Sequence, residues 1–345
     1  MLISVIIVTW NGRNYIEKLL TSLAKAIEIY NNVEIVVVDN ASSDGTPEII
    51  EEFKKLFESK LRIVRLKQNV GFACGNNIGV AFAKGDIILL LNQDTFVDSK
   101  IFKNLVEVFY ANREIGIVQC LLKQYYLPNM IDSLGDVMSD VGAAIMIGFG
   151  EIIRKNAPLE LKEIFHARGA ALAIKREVLE KVGGLFPSYY IGAGYEDLDL
   201  SMRVRFAGYK IVLAPNCVVY HHGLVRKSDR PENFFVSMAC LTRNLFPISV
   251  LLKHFIIRLI QIGVSLPLRR REYALGAYYL LEYFKNLRRI ILDRYIIKTN
   301  ILKNKSTNIY FDNLASFKSY MKFRKHHLNV ISAFEKLFTS IKHSS

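Results

Sequence analysis

The sequence predicts an α/β domain on a mostly parallel central sheet flanked by helices, followed by a basic α-helical C-terminal extension. Three observations predict it. Apolar runs of strand length recur at residues 3–9, 34–38, 62–66, 87–91 and 115–120, most of them separated by stretches of helical period. Strand alternating with helix requires crossover connections, and these build a parallel sheet with covered faces. Charge then divides the chain: residues 1–220 hold 24 Lys and Arg against 25 Asp and Glu, a net of −1, while residues 221–345 hold 22 against 7, a net of +15. A chain of 345 residues has room for one core of roughly 200 residues plus an appendage. We place the domain at 1–230, divided at 120/121, and the basic tail at 231–345.

The elements follow in order. The first run, at 3–9, meets Asn11 and Gly12 too soon for a signal peptide, so the chain is expected to begin directly with a strand. The first helix places Tyr15, Ile16, Leu19, Leu20, Leu23 and Ile27 on one face. The second opens at Ser43-Asp44-Gly45-Thr46-Pro47, with Thr46 as N-cap, Pro47 at the first helical position, and Ile49, Ile50, Phe53, Leu56 and Phe57 inward. After Cys120 the rhythm breaks, and residues 121–165 read as an insertion or long loop over the sheet, a kind of segment that is usually functional. Order returns with a strand at 170–174, a short helix from Arg176 ended by Gly183-Gly184, a helix from Glu196 to Phe206 stopped by Gly208, and a strand pair at 211–213 and 217–220. Cys74, Cys120, Cys217 and Cys240 form no C-x-x-C, which points away from a zinc ribbon or disulfide framework and fits a reducing cytoplasm.

Polar clusters fall at the carboxyl ends of three strands, where open α/β sheets bind ligands. Asn92-Gln93-Asp94 ends the fourth run, and its first and third residues point the same way, a grip suited to a hard cation carrying phosphate oxygens. Asp39 can accept hydrogen bonds from a base or ribose with Thr9 framing the same base, or Asp39-Asn40 can simply start a turn. Asn69-Val-Gly-Phe-Ala-Cys-Gly-Asn-Asn-Ile-Gly79 is not a G-x-G-x-x-G. It reads as a turn approaching a ligand, with a following helix aimed amino-end first at phosphates. Tyr195-Glu196-Asp197-Leu198-Asp199 starts a helix with three acids, either to complement its dipole or to supply a general base, with Gly192-Ala193-Gly194 as a flexible approach. His221 and His222 follow a strand and are able to ligate a metal or contact phosphate, though a lone histidine is more often structural.

Taken together, the strings VIIVTWNG, VVVDNASSDGT, NVGFACGNNIG, GDIILLLNQDT, RGAALAIKREVLEKVGGL, YEDLDLSMRVRFAGYKI and APNCVVYHHG, spanning roughly residues 3–223, resemble the family 2 inverting glycosyltransferases, particularly their rhamnosyltransferase-like branch. The resemblance implies a GT-A fold, with a Rossmann-like nucleotide-sugar half at 1–120 and an acceptor half at 121–230. It implies that Thr9, Asn11, Asp39, Asn69, Gly71, Asn77, Asn92 and Gln93 hold or shape the nucleotide-sugar site. Asp94 and His221 are implied to face a divalent cation, Mg2+ or Mn2+. Asp197 is implied to be the catalytic base, beside Glu196. Asn92 departs from the family's D-x-D and leaves one fewer charge on the cation. The implied reaction is a single displacement from a nucleoside-diphosphate sugar, such as dTDP-rhamnose or a UDP-sugar, to a hydroxyl of a glycan or lipid-linked acceptor.

Residues 247–266 of the tail are apolar except for Lys253, His254, Arg258 and Gln261, which share a sector of roughly 140° at 100° per residue. Two cations inside a spanning helix would each cost about 2.5–3.5 kcal/mol, so we expect an interfacial helix instead, with Arg269-Arg270-Arg271 meeting anionic lipid. This would place the chain peripherally, at the cytoplasmic face of the membrane. Residues 273–297 repeat the character, and residues from about 298 are polar. Packing on the catalytic domain or on a second subunit, as a homodimer, is the other reading. No nucleic-acid-binding signature accompanies the charge.

Three other functions are weighed. A sugar-nucleotide pyrophosphorylase would need a Gly-rich basic loop where Trp10-Asn11-Gly12-Arg13-Asn14 stands. A processive synthase would need Q-x-x-R-W, but the sole tryptophan is Trp10. A non-catalytic, membrane-associated nucleotide-binding protein would bind donor without transferring sugar.

Overall fold

The computed structural model describes residues 1–153, 159–190, 194–223, 233–265, 271–303, 311 and 314–343. Its first half alternates as the apolar pattern requires: β1 (Ile3–Thr9), α1 (Ile16–Ile29), β2 (Val33–Asp39), α2 (Thr46–Phe57), β3 (Leu61–Arg65), α3 (Gly71–Phe82) and β4 (Ile87–Asn92). Then come β5 (Thr95–Val97), α4 (Ile101–Ala111), β6 (Ile115–Gln124), β7 (Ile131–Ser133), β8 (Asp136–Met138), β9 (Ala144–Met146) and β10 (Lys162–Glu163). β11 (Ala171–Lys175), α5 (Arg176–Lys181), α6 (Glu196–Phe206) and β12 (Lys210–His221) complete the region. The tail holds α7 (Asn233–Arg243), α8 (Ile248–Ser265), α9 (Arg271–Ile296), a π-helical turn (Ile297–Ile301) and α10 (Phe317–His343).

Among the described residues, ten strands form one sheet along the path β10-β12-β6-β11-β4-β1-β2-β3, with β5 on β12 and β7 on β6. β4, β1, β2 and β3 are mutually parallel, and β11 runs antiparallel between β4 and β6. This is the mixed, mostly parallel sheet that the alternation predicts. Apolar side chains fill both faces, which is why the strands read as continuous apolar runs rather than alternating ones.

Several expectations are corrected. Gly45, at φ 86°, takes the N-cap position of α2 and Thr46 is the first helical residue; the Thr46 hydroxyl donates to Asp44 Oδ1 and accepts from the Gly12 N–H. Leu56 is 61% exposed rather than inward, because α2 buries only Thr46, Ile50 and Phe57. The segment 121–165, read as an insertion or long loop over the sheet, completes β6 and supplies β7 to β10 in its described residues. The expected final strand pair is one strand, β12, whose register shifts between Ala214 and Val218. The polar end of the chain contains α10. Of the regularly spaced glycines, Gly75 and Gly79 serve helix packing: a Cβ at Gly79 would lie 2.4 Å from Ile6 Cγ2, and one at Gly75 2.8 Å from Val8 Cγ1. Gly192, Ala193, Arg269 and Arg270 lie outside the described residues.

The tail closes the same core. Phe235, Val236, Phe246, Val250, Tyr283 and Ile290 are buried in one cluster with Leu198, Leu200 and Met202 of α6. Polar bonds tie the same elements. Asp199, fully buried, accepts from Arg203 Nε (2.8 Å), Arg243 Nη1 (2.5 Å), Asn244 Nδ2 (2.6 Å) and the Tyr190 hydroxyl (3.2 Å). Arg243 Nε also reaches Asp293 of α9 at 3.0 Å.

Candidate active site

Parallel register sets the strand ends level: Thr9 pairs with Asp39 across β1 and β2, and Val8 with Asn92 across β1 and β4. Amide and hydroxyl side chains then lace the loops together. Gln93 Oε1 accepts from the Thr9 hydroxyl (2.7 Å) and the Trp10 N–H (2.9 Å), while its Nε2 donates to the Trp10 carbonyl (3.3 Å). Asn11 sits at φ 50°, accepts from the Ser43 N–H at 2.9 Å, and donates its own N–H to the Ser42 hydroxyl. Asp39 is 3% exposed and accepts from the Ser42 N–H at 3.1 Å. Asn69 Oδ1 accepts from Asn40 Nδ2 (2.8 Å) and the Gly71 N–H (2.9 Å). Thr9, Asn11, Asp39, Asn69, Gly71 and Gln93 are thus brought to one floor. Asn77 is directed elsewhere: its amide makes reciprocal bonds with the Phe186 backbone at 2.9 and 3.1 Å.

The fourth strand end faces His221. Asn92 Oδ1 is buried without a hydrogen-bond partner. Asp94 Oδ1 lies 3.5 Å from His221 Nε2, and His221 Nδ1 lies 2.9 Å from Asp132 Oδ2. Burial alone would push the His221 pKa down, but the flanking carboxylates of Asp94 and Asp132 raise it to about 10. His222, just past the end of β12, stacks on Tyr125 with ring centroids 3.7 Å apart, and burial pushes its pKa down to about 4. The adjacent histidines are therefore pushed in opposite directions, His221 toward its charged form by the carboxylates and His222 toward its neutral form by burial.

A cation fits this wall in a specific way. Among the described residues no three His, Cys, Asp or Glu side chains converge as a metal cluster. The oxygens on offer are the Asp94 carboxylate and the orphaned Asn92 amide oxygen, a sparse hard-donor set that suits an ion completed by phosphate oxygens and water. His221 can join only by giving up its proton.

The third part of the site is the amino end of α6. Asp197 Oδ2 accepts from the Gly169 N–H at 3.0 Å, Oδ1 accepts from the Leu198 N–H at 2.9 Å, and the side chain is 19% exposed. His166 Nε2 lies 3.2 Å from Asp197 Oδ1 without the alignment of a hydrogen bond. Burial would raise the Asp197 pKa, yet His166, the Gly169 N–H and Arg168 bring it down to about 2. Asp197 is thus a carboxylate favoured in its ionised form and partly open to solvent. Glu196 is buried and folds back to accept from the Gly194 N–H, closing the turn that starts α6.

Sequence reasoning missed His166, Arg168, Asp132 and Asp136. Their signal was a set of acids and bases inside apolar text, but it fell in and beside the region without a clear period.

The profile of the family described as glycosyl transferase family 2 matches residues 4–183. A poly(ribitol-phosphate) beta-glucosyltransferase of Bacillus spizizenii is 30% identical over 249 residues, covering 69% of this chain and 36% of that protein. The chain therefore spans about a third of this curated relative's length. Among solved structures, residues 1–349 of Staphylococcus aureus TarS superpose with a TM-score of 0.53 at 18% identity, covering 88% of this chain and 89% of that one. GalNAc-T7, solved with UDP, GalNAc and Mn2+, superposes with a TM-score of 0.56 at 18% identity, covering 70% and 47%. The fold shared with these structures is GT-A, and the family match spans the strand ends that carry Thr9, Asp39 and Asp94. The chain belongs to glycosyl transferase family 2.

Proposed function

We propose that the chain is an inverting, non-processive glycosyltransferase that moves a sugar from a nucleoside-diphosphate donor to a hydroxyl of a glycan or lipid-linked acceptor. The observation that carries this reading is the Asp197 carboxylate: held by two backbone N–H groups, ionised, and partly open at a helix start. Thr9, Asn11, Asp39, Asn69 and Gly71 form the donor floor. Asn77 contributes by fixing the loop at Phe186. Asp197 takes the proton of the acceptor hydroxyl as its oxygen attacks the anomeric carbon. The bond to the diphosphate breaks on the opposite face, and its electron pair leaves with the phosphate. Asp94, Asn92 and His221 would hold Mg2+ or Mn2+, which when bound supplies Lewis-acid stabilisation of the diphosphate. Manganese and UDP in GalNAc-T7 and the glucosyl transfer in the Bacillus relative's name support this class of donor and cation.

Thermal stabilisation by a panel of UDP-sugars and dTDP-rhamnose, with and without Mg2+ or Mn2+, identifies the donor. Asp94→Ala is expected to abolish the cation-dependent part of that stabilisation. An identical shift with and without Asp94 would place the cation elsewhere.

The acceptor side is proposed to meet an anionic membrane surface on its cytoplasmic face. No helix of the described residues is long and apolar enough to cross a membrane. α8 turns polar as well as apolar residues toward the rest of the chain. His254 is buried, with ring nitrogens 2.9 Å from the Val141 carbonyl and from the Ser237 hydroxyl, and Lys253 pairs with Asp140 at 3.0 Å. Ile248, Leu252, Ile256 and Ile260 are 53–70% exposed along the other face. An apolar stripe on a segment of net charge +15 suits anionic lipid. One isoleucine moved into the interface contributes about 1.5 kcal/mol, so Ile256→Glu with Ile260→Glu should weaken sedimentation with phosphatidylglycerol vesicles by about a hundredfold. Undiminished sedimentation would remove the stripe from this role. A dimer dissolved by the same two changes would assign it to a second copy of the chain.

A further inference from the structure

The residues around Asp197 form an alternating chain of charge. His166 is 3% exposed, with Nε2 3.2 Å from Asp197 Oδ1 and Nδ1 3.8 Å from Asp136 Oδ2. Asp136 is also 3% exposed and pairs with Arg168 Nη1 at 3.3 Å. Two residues past His166, the chain returns to donate the Arg168 N–H to Gln119 Oε1 at 2.8 Å. The Gly169 N–H reaches Asp197 itself. One short segment thus touches Asp197 twice, once by backbone and once by imidazole.

We propose that His166 is a positioning residue for the base: a buried imidazole 3.2 Å from Asp197, backed by Asp136, which is itself paired with Arg168, that fixes the Asp197 carboxylate. This rests on Asp197 being the base. The groups facing the pair are Asp136 from β8, Arg168 from its own segment and, from α7, the Cys240 thiol, which is buried in the field of Asp197. Desolvation would drive a proton off His166 and onto Asp197, but the reverse holds because acid and base compensate one another. The His166 pKa is raised above its ordinary value, chiefly by Asp197, against the downward push of burial. An apolar residue at 166 leaves Asp197 in the same buried setting without its cation. The proton then binds more readily, and the carboxylate loses its fixed rotamer.

The test uses the full chain and the pH dependence of kcat/KM, with UDP-glucose, UDP-N-acetylglucosamine or dTDP-rhamnose, whichever is turned over. In the native chain no acid limb from Asp197 is expected within the pH range where the protein stays folded. His166→Phe is expected to lower kcat about 10- to 100-fold and to bring an acid limb into the mid-acid range. His166→Gln keeps a polar side chain beside Asp197 but not the charge; it should recover part of kcat while the acid limb remains. Should His166→Phe fail to fold, His166→Gln alone carries the test. A folded variant with unchanged kcat and no new limb overturns the proposal, provided Asp197→Asn is inactive. An active Asp197→Asn overturns the base assignment itself, and the two failures are thereby distinguished.

Discussion

Asp197→Asn is expected to reduce sugar transfer by about 100- to 10,000-fold while donor binding stays within a few-fold of native. The amide keeps the shape and can still accept from the Gly169 N–H, so the start of α6 remains in place. What disappears is the capacity to take a proton. Donor affinity read by thermal shift separates the two effects, because the floor formed by Thr9, Asp39 and Asn69 does not bond to Asp197. Native turnover in this variant would move the base to another residue.

The second large effect lies two residues further along α6. Asp199→Ala is expected to destabilise the fold by about 3–5 kcal/mol, because it leaves Arg203, 1% exposed, without its carboxylate. A loss of that size is a large share of the roughly 5–15 kcal/mol that holds a domain folded. Chemical denaturation of the two chains measures it. Burial would raise the Asp199 pKa, but Arg243 and Arg203 bring the net shift below its ordinary value. The sign follows: the carboxylate's contribution is full above its unfolded pKa near 4 and fades as pH falls through the lower folded value. The difference between native chain and variant should therefore shrink on acidification. A difference that grows toward low pH would contradict this account.

Asp197 and Asp199 also show where the sequence was legible and where it was not. The first helical turn of α6 was legible, since acids at a helix start follow from its dipole. That the two would face opposite fates, one toward solvent and one sealed beneath two arginines, was not, because the partners Arg203 and Arg243 belong to packing rather than to pattern. β1 and β4 were legible because burial on both faces writes itself as unbroken apolar text. Segment 121–165 was not. The strands that lie wholly within it are two or three residues long and pair over only two or three positions, as β7 does through Leu122 with Ser133 and Lys123 with Ile131, so no period had room to appear. The amide of Asn77 illustrates a third limit: a polar residue beside a ligand-binding loop can serve the backbone of a distant segment instead.

The shared core of tail and sheet also has a practical and a geometric consequence. Cutting the chain near residue 245 would remove Asp293 and the aromatic side chains of α9, so truncation would test folding rather than attachment. Arg243 and Asn244 couple the tail to Asp199, and Asp199 sits two residues from Asp197. On the proposed function, the tail would be a stand bolted to the helix that carries Asp197. A molecule resting on α8 would then hold that carboxylate at one height, and that height would set how far an acceptor hydroxyl must project from the surface to be reached.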